Sequence, residues 1–376
     1  MDFLINTVYY VLPFLILLGI LVFVHEFGHF IVARWCGVQV STFSIGFGKT
    51  LWSRKDKKNT VWKISAIPLG GYCQFLGDDD ASSSTTDEAV SKLSEDEKKH
   101  AFFTQNPFKK LAIVLAGPGA NYLFAIVVFA SIFFFLGKIN FPPVVGDVMK
   151  ESAAEMVGIM PNDKILKING HEIKNFSDIS REVELNVEPN IDVELLRGTE
   201  TLSLSFPLKV LEYQDSEGKT IKKMMLGVQS KNQVEIEYKS LSFFDAVKEA
   251  GIETWDVTAS TLRGLGQIFS GKRSGDEIGG IIRIAEMSGD VSKTGVISFF
   301  VFMALISINL GLINLFPIPV LDGGHVVIYV IEIITRREVN EKVKEFLFKI
   351  GLGFIILLML FATWNDIYRL FNRWFS

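Results

Sequence analysis

Two histidines four residues apart, His25-Glu26-Phe27-Gly28-His29, are the side chains best equipped for chemistry in this 376-residue chain. On a helix, positions i and i+4 share a face, so both imidazoles project side by side, with Glu26 next to them to move protons. Paired imidazoles at this spacing hold a zinc ion, and a neighbouring carboxylate acting on water is what hydrolysis at such an ion requires. The flanks, Leu21 to Val24 and Phe30 to Val32, are apolar on every side rather than along one stripe. Ionisable groups inside a bilayer-length apolar segment are costly to keep and are found where they work. The implied chemistry is metal-assisted hydrolysis at membrane depth.

Two histidines leave a catalytic metal one protein ligand short, since such sites use three and keep a fourth position open. A metzincin continuation would need a glycine and a third histidine downstream; Val32 and Trp35 stand there instead, so the donor comes from elsewhere. The segment Asn314-Leu315-Phe316-Pro317-Ile318-Pro319-Val320-Leu321-Asp322-Gly323-Gly324-His325 offers two, Asp322 and His325. Pro317 and Pro319 break a helix there, and Gly323-Gly324 permit close backbone approach. A carboxylate held in broken helix at membrane depth needs a partner, and a metal is a good one. Histidine, in turn, is the commonest metal ligand in general. Asn309 and Asn314 carry amides that belong in a protein interior rather than in lipid, suited to holding unwound backbone.

Four stretches are long and apolar enough to position these groups in a bilayer: about 8–33, 111–136, 296–316 and 349–371. The first has no basic leader and carries the paired histidines, so it is expected to remain as an anchor rather than be removed. An even number of spans puts both termini on one side. Arg34, Lys49, Arg54, Lys55, Lys57, Lys58, Lys109 and Lys110 crowd the first loop, and Arg336, Arg337, Lys342 and Lys344 the last, which marks both loops as cytoplasmic. Both termini and residues 139 to 295 then lie outside.

Between the first two spans, Val38 to Ile45 and Thr60 to Ile67 alternate like strands around the basic turn Arg54 to Lys58, a hairpin whose edge could take an extended peptide. Residues 78–100 are polar and low in complexity and read as mobile, with His100 a surface residue. Residues 139–235 show short strands, a helix ending at Gly158, the Asn169-Gly170 turn and a second helix near Ser177 to Glu184, with His171 exposed. Residues 241–270 have helical periodicity with a broad apolar face, fit for a membrane surface or a bundle. Apolar residues make up 49 % of the chain and net charge is only −4, which gives no case for nucleic acid. Cys36 and Cys73 form no zinc-type pair and are expected to stay reduced.

These residues resemble the site-2 protease family of intramembrane zinc metalloproteases, in its bacterial RseP type. The resemblance is carried by His25-Glu26-Phe27-Gly28-His29, by Asn106 to Lys110 leading into Ala116-Gly117-Pro118-Gly119-Ala120-Asn121, by a PDZ-like pattern around Gly158 to Gly170, and by Asn309 through His325. It covers essentially the whole chain. It implies a polytopic α-helical membrane protein with four transmembrane helices, a membrane-associated β-hairpin region and an extracytoplasmic α+β PDZ-like domain. The expected parts are 1–37, first span; 38–110, hairpin and acidic loop; 111–138, second span; 139–235, PDZ-like domain; 236–295, amphipathic helix region; 296–335, third span with Asp322; and 336–376, fourth span. The family implies His25, His29 and Asp322 as zinc ligands, Asp322 being preferred over His325, and Glu26 as general base. It implies substrate handling by Asn309, Asn314, Pro317 and Pro319. It further implies single-span membrane protein substrates, such as trimmed anti-sigma factors or signal peptide remnants, and a bacterial cytoplasmic (inner) membrane location. The best-known RseP-type members have two tandem PDZ modules, and this chain has room for one. A membrane scaffold that binds transmembrane partners through that module is the rival reading, which leaves Glu26 without a purpose. A transporter would place polar residues on the second and fourth spans, which are nearly free of them.

Overall fold

The computed structural model describes residues 2–77, 93–139, 141–214, 220–230, 238–239, 241–273 and 279–375. The elements begin with α1 (Asp2–Trp35), β1 (Val40–Lys55), β2 (Val61–Phe75), α2 (Glu95–His100) and α3 (Pro107–Phe135). A strand-rich stretch follows: β3 (Lys138–Ile139), β4 (Val145–Val148), α4 (Ala153–Met156), β5 (Lys164–Ile168), β6 (His171–Glu172), α5 (Phe176–Glu184), β7 (Asn190–Arg197), β8 (Glu200–Pro207), β9 (Lys209–Gln214), β10 (Thr220–Met225), β11 (Val228–Ser230) and β12 (Tyr238–Lys239). Helices close the chain: α6 (Phe243–Phe269), α7 (Ile281–Thr294), α8 (Val296–Asn314), α9 (Asp322–Thr335) and α10 (Glu341–Phe375). Two compact units emerge, one of Met1–Ala130, Val247–Thr258 and Gly275–Ser376, the other of Ser131–Ala246 and Ala259–Ser274.

In the first unit, α1, α3, α8 and α10 are long and apolar enough to cross a membrane. α3 starts at Pro107, four residues before the expected span, because proline at a first helical position forfeits an N–H that would be unpaired anyway. α8 stops at Asn314, ahead of the Pro317 and Pro319 that cannot continue it. Three helices were not anticipated: α9, expected to be the tail of the third span and the loop after it; α7, before that span; and α2, inside the segment expected to be mobile, where Ser94 and Glu97 form a capping box. Part of the polar segment expected to be mobile, 78–92, lies outside the described residues. His100 is exposed, as expected, and its Nδ1 lies 2.9 Å from the Gly37 carbonyl.

The hairpin is more folded than simple alternation suggests. β1 bends at Gly46 and Gly48 (φ 87° and 81°) and β2 at Gly70 (φ 141°), conformations that side-chain-bearing residues rarely adopt. Residues 50–55 thereby pair with 61–65, residues 61–64 also lie against 42–45, and 40–45 pair on their other side with 71–75. Four segments are made from two strands, with 50–55 at one edge and 71–75 at the other. Beneath them Phe30, Phe43, Phe75, Phe102, Ile113 and Tyr329 form one buried cluster. Phe43 meets Trp62 at a tilt (4.6 Å between centroids) and Phe75 stacks on Phe102 (4.7 Å), contacts worth about 0.5–1.5 kcal/mol each beyond their buried area. This cluster fixes the sheet against α1, so the histidines and strand 71–75 share one rigid support.

The second unit has its own core, in which Ile165, Ile168, Ile191, Val193 and Leu195 are fully or almost fully buried. Its main sheet runs β6-β5-β7-β8, all antiparallel. Asn169 and Gly170 both take positive φ (48° and 79°), the requirement of a tight two-residue turn, which makes the β5–β6 hairpin. Asp163, 1 % exposed, accepts from Arg197 Nε (2.9 Å), Arg197 Nη2 (2.7 Å) and the Met160 N–H (2.8 Å). On α6, Arg263 makes a two-point pair with Glu182 (3.0 and 2.8 Å). Phe244, Val247, Trp255, Leu262 and Phe269 recur at helical spacing on its exposed side.

Candidate metal centre

α1 presents His25 and His29 from one face, one turn apart, and α9 delivers Asp322 against them. Leu321 is the N-cap of α9, so Asp322 sits in its first turn and is not spent on capping. Asp322 Oδ2 lies 3.1 Å from His25 Nε2, Oδ1 lies 3.5 Å from His29 Nε2, and the two Nε2 atoms are 3.3 Å apart. One ligand atom from each residue falls within 4.8 Å of the others. Asp322 Oδ2 is buried, with His25 Nε2 as its close polar neighbour. Acceptor atoms brought together in a site shielded from water repel one another unless a proton or cation lies among them. Two imidazoles and a carboxylate are the donor set that suits zinc, and the fourth position they leave is what a catalytic site needs.

The surroundings orient these donors. His29 is almost fully buried, and its Nδ1 lies 2.8 Å from the carbonyl of Ile113 on α3. A carbonyl only accepts, so Nδ1 carries the proton and Nε2 turns its lone pair to the cluster. His25 Nδ1 lies 3.1 Å from the side-chain amide of Asn121, also on α3. Helices α1 and α3 touch through small residues: a Cβ on Gly28 would fall 2.2 Å from the Ala116 carbonyl oxygen, and one on Gly117 2.2 Å from His29 Nε2. Glu26 accepts a hydrogen bond from the Cys73 N–H and lies within electrostatic reach of His25, His29 and Asp322. A Cβ on Gly71 would lie 3.2 Å from Glu26 Cγ, so strand 71–75 runs beside this carboxylate with no room for a side chain at its start.

The sequence-derived site residues therefore divide. His25, His29 and Asp322 come together, with Glu26 beside them. His325 follows one turn after Asp322, faces Tyr329 with 6.2 Å between ring centroids, and does not join the three. Asn309 lies half-buried in α8 and Asn314 ends that helix. Pro317 and Pro319 stand in the turn leading to Asp322, held by Ile318 N–H to the Phe316 carbonyl (2.7 Å) and Leu321 N–H to the Ile318 carbonyl (2.9 Å). Added Cβ atoms on Gly323 and Gly324 would meet the Phe316 and Ile318 carbonyl oxygens at 2.2 and 2.4 Å, so that turn closes only over glycine. Reading the sequence did not give roles to Ile113, Gly117 and Asn121. Their signal was the run of small residues from Ala116 to Asn121, whose purpose shows only when α3 lies on α1.

Residues 13–358 match the family profile described as Peptidase family M50. A candidate zinc metalloprotease of Rhizobium meliloti is 37 % identical over 374 residues, covering 99 % of this chain and 100 % of its own. Another, from Agrobacterium fabrum, is 40 % identical over 362 residues and 95 % of each chain. Metalloprotease MmpA of Caulobacter vibrioides is 35 % identical over 378 residues and 94 % of each.

Proposed function

The chain belongs to peptidase family M50, a family of membrane metalloproteases, and on that premise we propose that it is a zinc metalloendopeptidase cutting single-span membrane proteins within or near their transmembrane segments. The convergence of His25 and His29, on a helix fit to cross a bilayer, with Asp322 of α9, all beside Glu26, carries this reading. In it His25 and His29 bind through Nε2 and Asp322 through its carboxylate. Bound zinc supplies Lewis-acid polarisation of a carbonyl and a lowered pKa for water. Glu26, steadied by the Cys73 N–H, takes a proton from the attacking water and passes it to the leaving amide nitrogen, a transfer worth about 10²–10⁴ in rate.

A transmembrane helix hides its carbonyls in its own hydrogen bonds, so the substrate must unwind before Glu26 can act. Asn309 and Asn314 offer side-chain amides to the released backbone, and Pro317 and Pro319 hold the segment between them and Asp322 open. Strand 71–75, beside Glu26, is placed to align an extended peptide by strand addition. The second unit serves as a PDZ-like gate that admits substrates already trimmed on that side, such as anti-sigma factors or signal peptide remnants. This reading puts the protein in a bacterial cytoplasmic membrane, with the termini and the second unit outside and the basic loops inside.

The deciding experiment is cleavage of a single-span reporter by purified full-length protein in detergent, beside Glu26→Gln and His25→Ala, with zinc content measured for each. Expected are a cut inside the reporter's apolar segment by wild type, loss of cutting with zinc retained in Glu26→Gln, and loss of both in His25→Ala. Equal cutting by wild type and Glu26→Gln would remove Glu26 from the mechanism.

A further inference from the structure

The segment at one edge of the hairpin sheet, residues 50–55, has no core beneath it. From Phe47 to Lys55 every residue is exposed, on both faces of the strand, although β1 is mostly buried from Val40 to Gly46. Leu51 is 67 % exposed and Trp52 50 %, and Phe47, Ile64 and Ile67 near them are exposed as well. Trp52 stands opposite Ile64 in the sheet, so the two share a face. Large apolar side chains gathered on an open edge mark an interaction surface, since left bare in water they invite aggregation.

The charge of the hairpin selects what covers this surface. Residues 38–77 hold six cations, Lys49, Arg54, Lys55, Lys57, Lys58 and Lys63, beside one acid, Asp56. Asp56 is taken up inside the turn, where it accepts from Arg34, from Trp62 Nε1 (3.2 Å) and from the Lys58 and Thr60 N–H groups (2.8 and 3.0 Å). None of the six cations makes an ion pair among the described residues. The cover is therefore anionic as well as apolar. Its depth follows from the same contacts: Arg34 and Trp35 end α1, so the Arg34–Asp56 pair ties the hairpin tip to the end of a span. An open sheet edge is not tolerated in hydrocarbon, where its N–H and C=O groups would stay unpaired. At headgroup depth they are hydrated and tryptophan is favoured. There each lysine or arginine gains about fivefold in local association with an anionic leaflet.

We propose that the outer part of the hairpin, residues 47–58 with Ile64 and Ile67, docks on the cytoplasmic leaflet by binding the headgroups of anionic phospholipids. Trp52 and Ile64 lie against the headgroup boundary, and the cations reach the lipid phosphates. The proposal rests on the reading that places this loop on the cytoplasmic side.

The test follows amide hydrogen exchange of residues 47–58 in full-length protein, in nanodiscs of phosphatidylcholine alone or mixed with phosphatidylglycerol. Exchange is expected to be at least about tenfold slower in the mixed discs, since two cations at that strength already suffice. High salt should return it to the phosphatidylcholine rate, because exposed charges are screened. Replacing Lys49, Arg54, Lys55, Lys57 and Lys58 together by Gln should abolish the difference between the discs. Thermal unfolding in detergent shows whether that variant folds; should it not, the lipid and salt comparison on wild type decides alone. Equal exchange in the two discs, or a lipid effect that survives the Gln changes, would overturn the proposal. Protection seen only with two copies per disc would overturn it in favour of a second copy as the cover. Sidedness is read separately from Lys57→Cys, combined with Cys36→Ser and Cys73→Ser, in sealed vesicles. Labelling by an impermeant thiol reagent from the outer side alone would remove the topology reading, and the cytoplasmic leaflet with it.

Discussion

A methyl group added to Gly117 would sit 2.2 Å from His29 Nε2, whereas one added to Gly119, on the same helix, would meet nothing within 4 Å. The contrast separates a steric role from a general preference for small residues in α3. Gly117→Ala should push His29 out of line and cut zinc affinity at least about tenfold, as loss of a ligand's support does. Gly119→Ala should bind zinc normally and raise stability by up to about 1 kcal/mol through helix propensity. Zinc titration and thermal unfolding of the two variants side by side check both. At this scale the sequence was most legible where one helix carried the whole pattern, since His25, Glu26 and His29 need only a 3.6-residue period to be read as a unit. Asn121 and Ile113 meet their histidines across 96 and 84 residues of chain, and no local period encodes that meeting.

Helix α9 carries Asp322 at its first turn and Glu332 near its last, so whatever holds Glu332 also bears on the site. Glu332 is 2 % exposed, lies 3.3 Å from Lys344 Nζ on α10 and accepts from the Val339 N–H at 3.2 Å. Replacing it by Ala should cost about 1–3 kcal/mol, because the Val339 N–H loses its acceptor and Lys344, which keeps Glu341 at 3.0 Å, loses its buried partner, and Glu332→Met with Lys344→Met together should recover part of that loss. Thermal unfolding of the single and double variants measures this, and additive losses would mean that the pair is not coupled. α9 itself was hidden in the sequence because Val326 to Ile334 is as apolar as a span and merges with one in any hydropathy window. α7 was hidden for another reason: it is short and mixed in polarity, and its start is tied down from α10, where Asp366 accepts from the Arg283 N–H at 3.1 Å. The hairpin strands were readable as alternation, but their refolding into four segments depends on bends at Gly46, Gly48 and Gly70 that alternation does not reveal. At the hairpin tip, partial burial would raise the Asp56 carboxyl, but hydrogen bonds from Arg34, Trp62 and the backbone N–H groups of Lys58 and Thr60 outweigh it and hold the group down at about 2. That lowered value lets the turn keep its support well into acid, and it weakens only as pH falls from about 4 toward 2.

Each of the two units has a core of its own, so a lesion in one should leave the other's chemistry intact. The second unit's local features were legible because short alternating strands, an Asn-Gly turn and short helices are local signals, and Asn169 and Gly170 make the turn where that signal places it. Its internal ion pair was not, because Asp163 and Arg197 meet through strand pairing over 34 residues. Burial alone would raise the Asp163 carboxyl, but the hydrogen bonds from Arg197 and the Met160 N–H prevail and hold it below the usual carboxylate range. A folded value below the unfolded one, about 3.9 for aspartate, makes the sign definite: the stabilisation is complete above that pH and fades as pH falls through the folded value. Asp163→Asn should therefore lower the stability of this unit by about 2 kcal/mol at pH 7, the worth of hydrogen bonds to a charged group. It should also flatten the unit's response to acid below pH 4. Hydrogen exchange of residues 145–207 at pH 7 against thermal unfolding between pH 3 and 7 would register both effects. Zinc affinity at pH 7 should match wild type, because among the described residues the ligands and their supports all belong to the first unit; a parallel fall in affinity would mean that the two cores are not energetically separate.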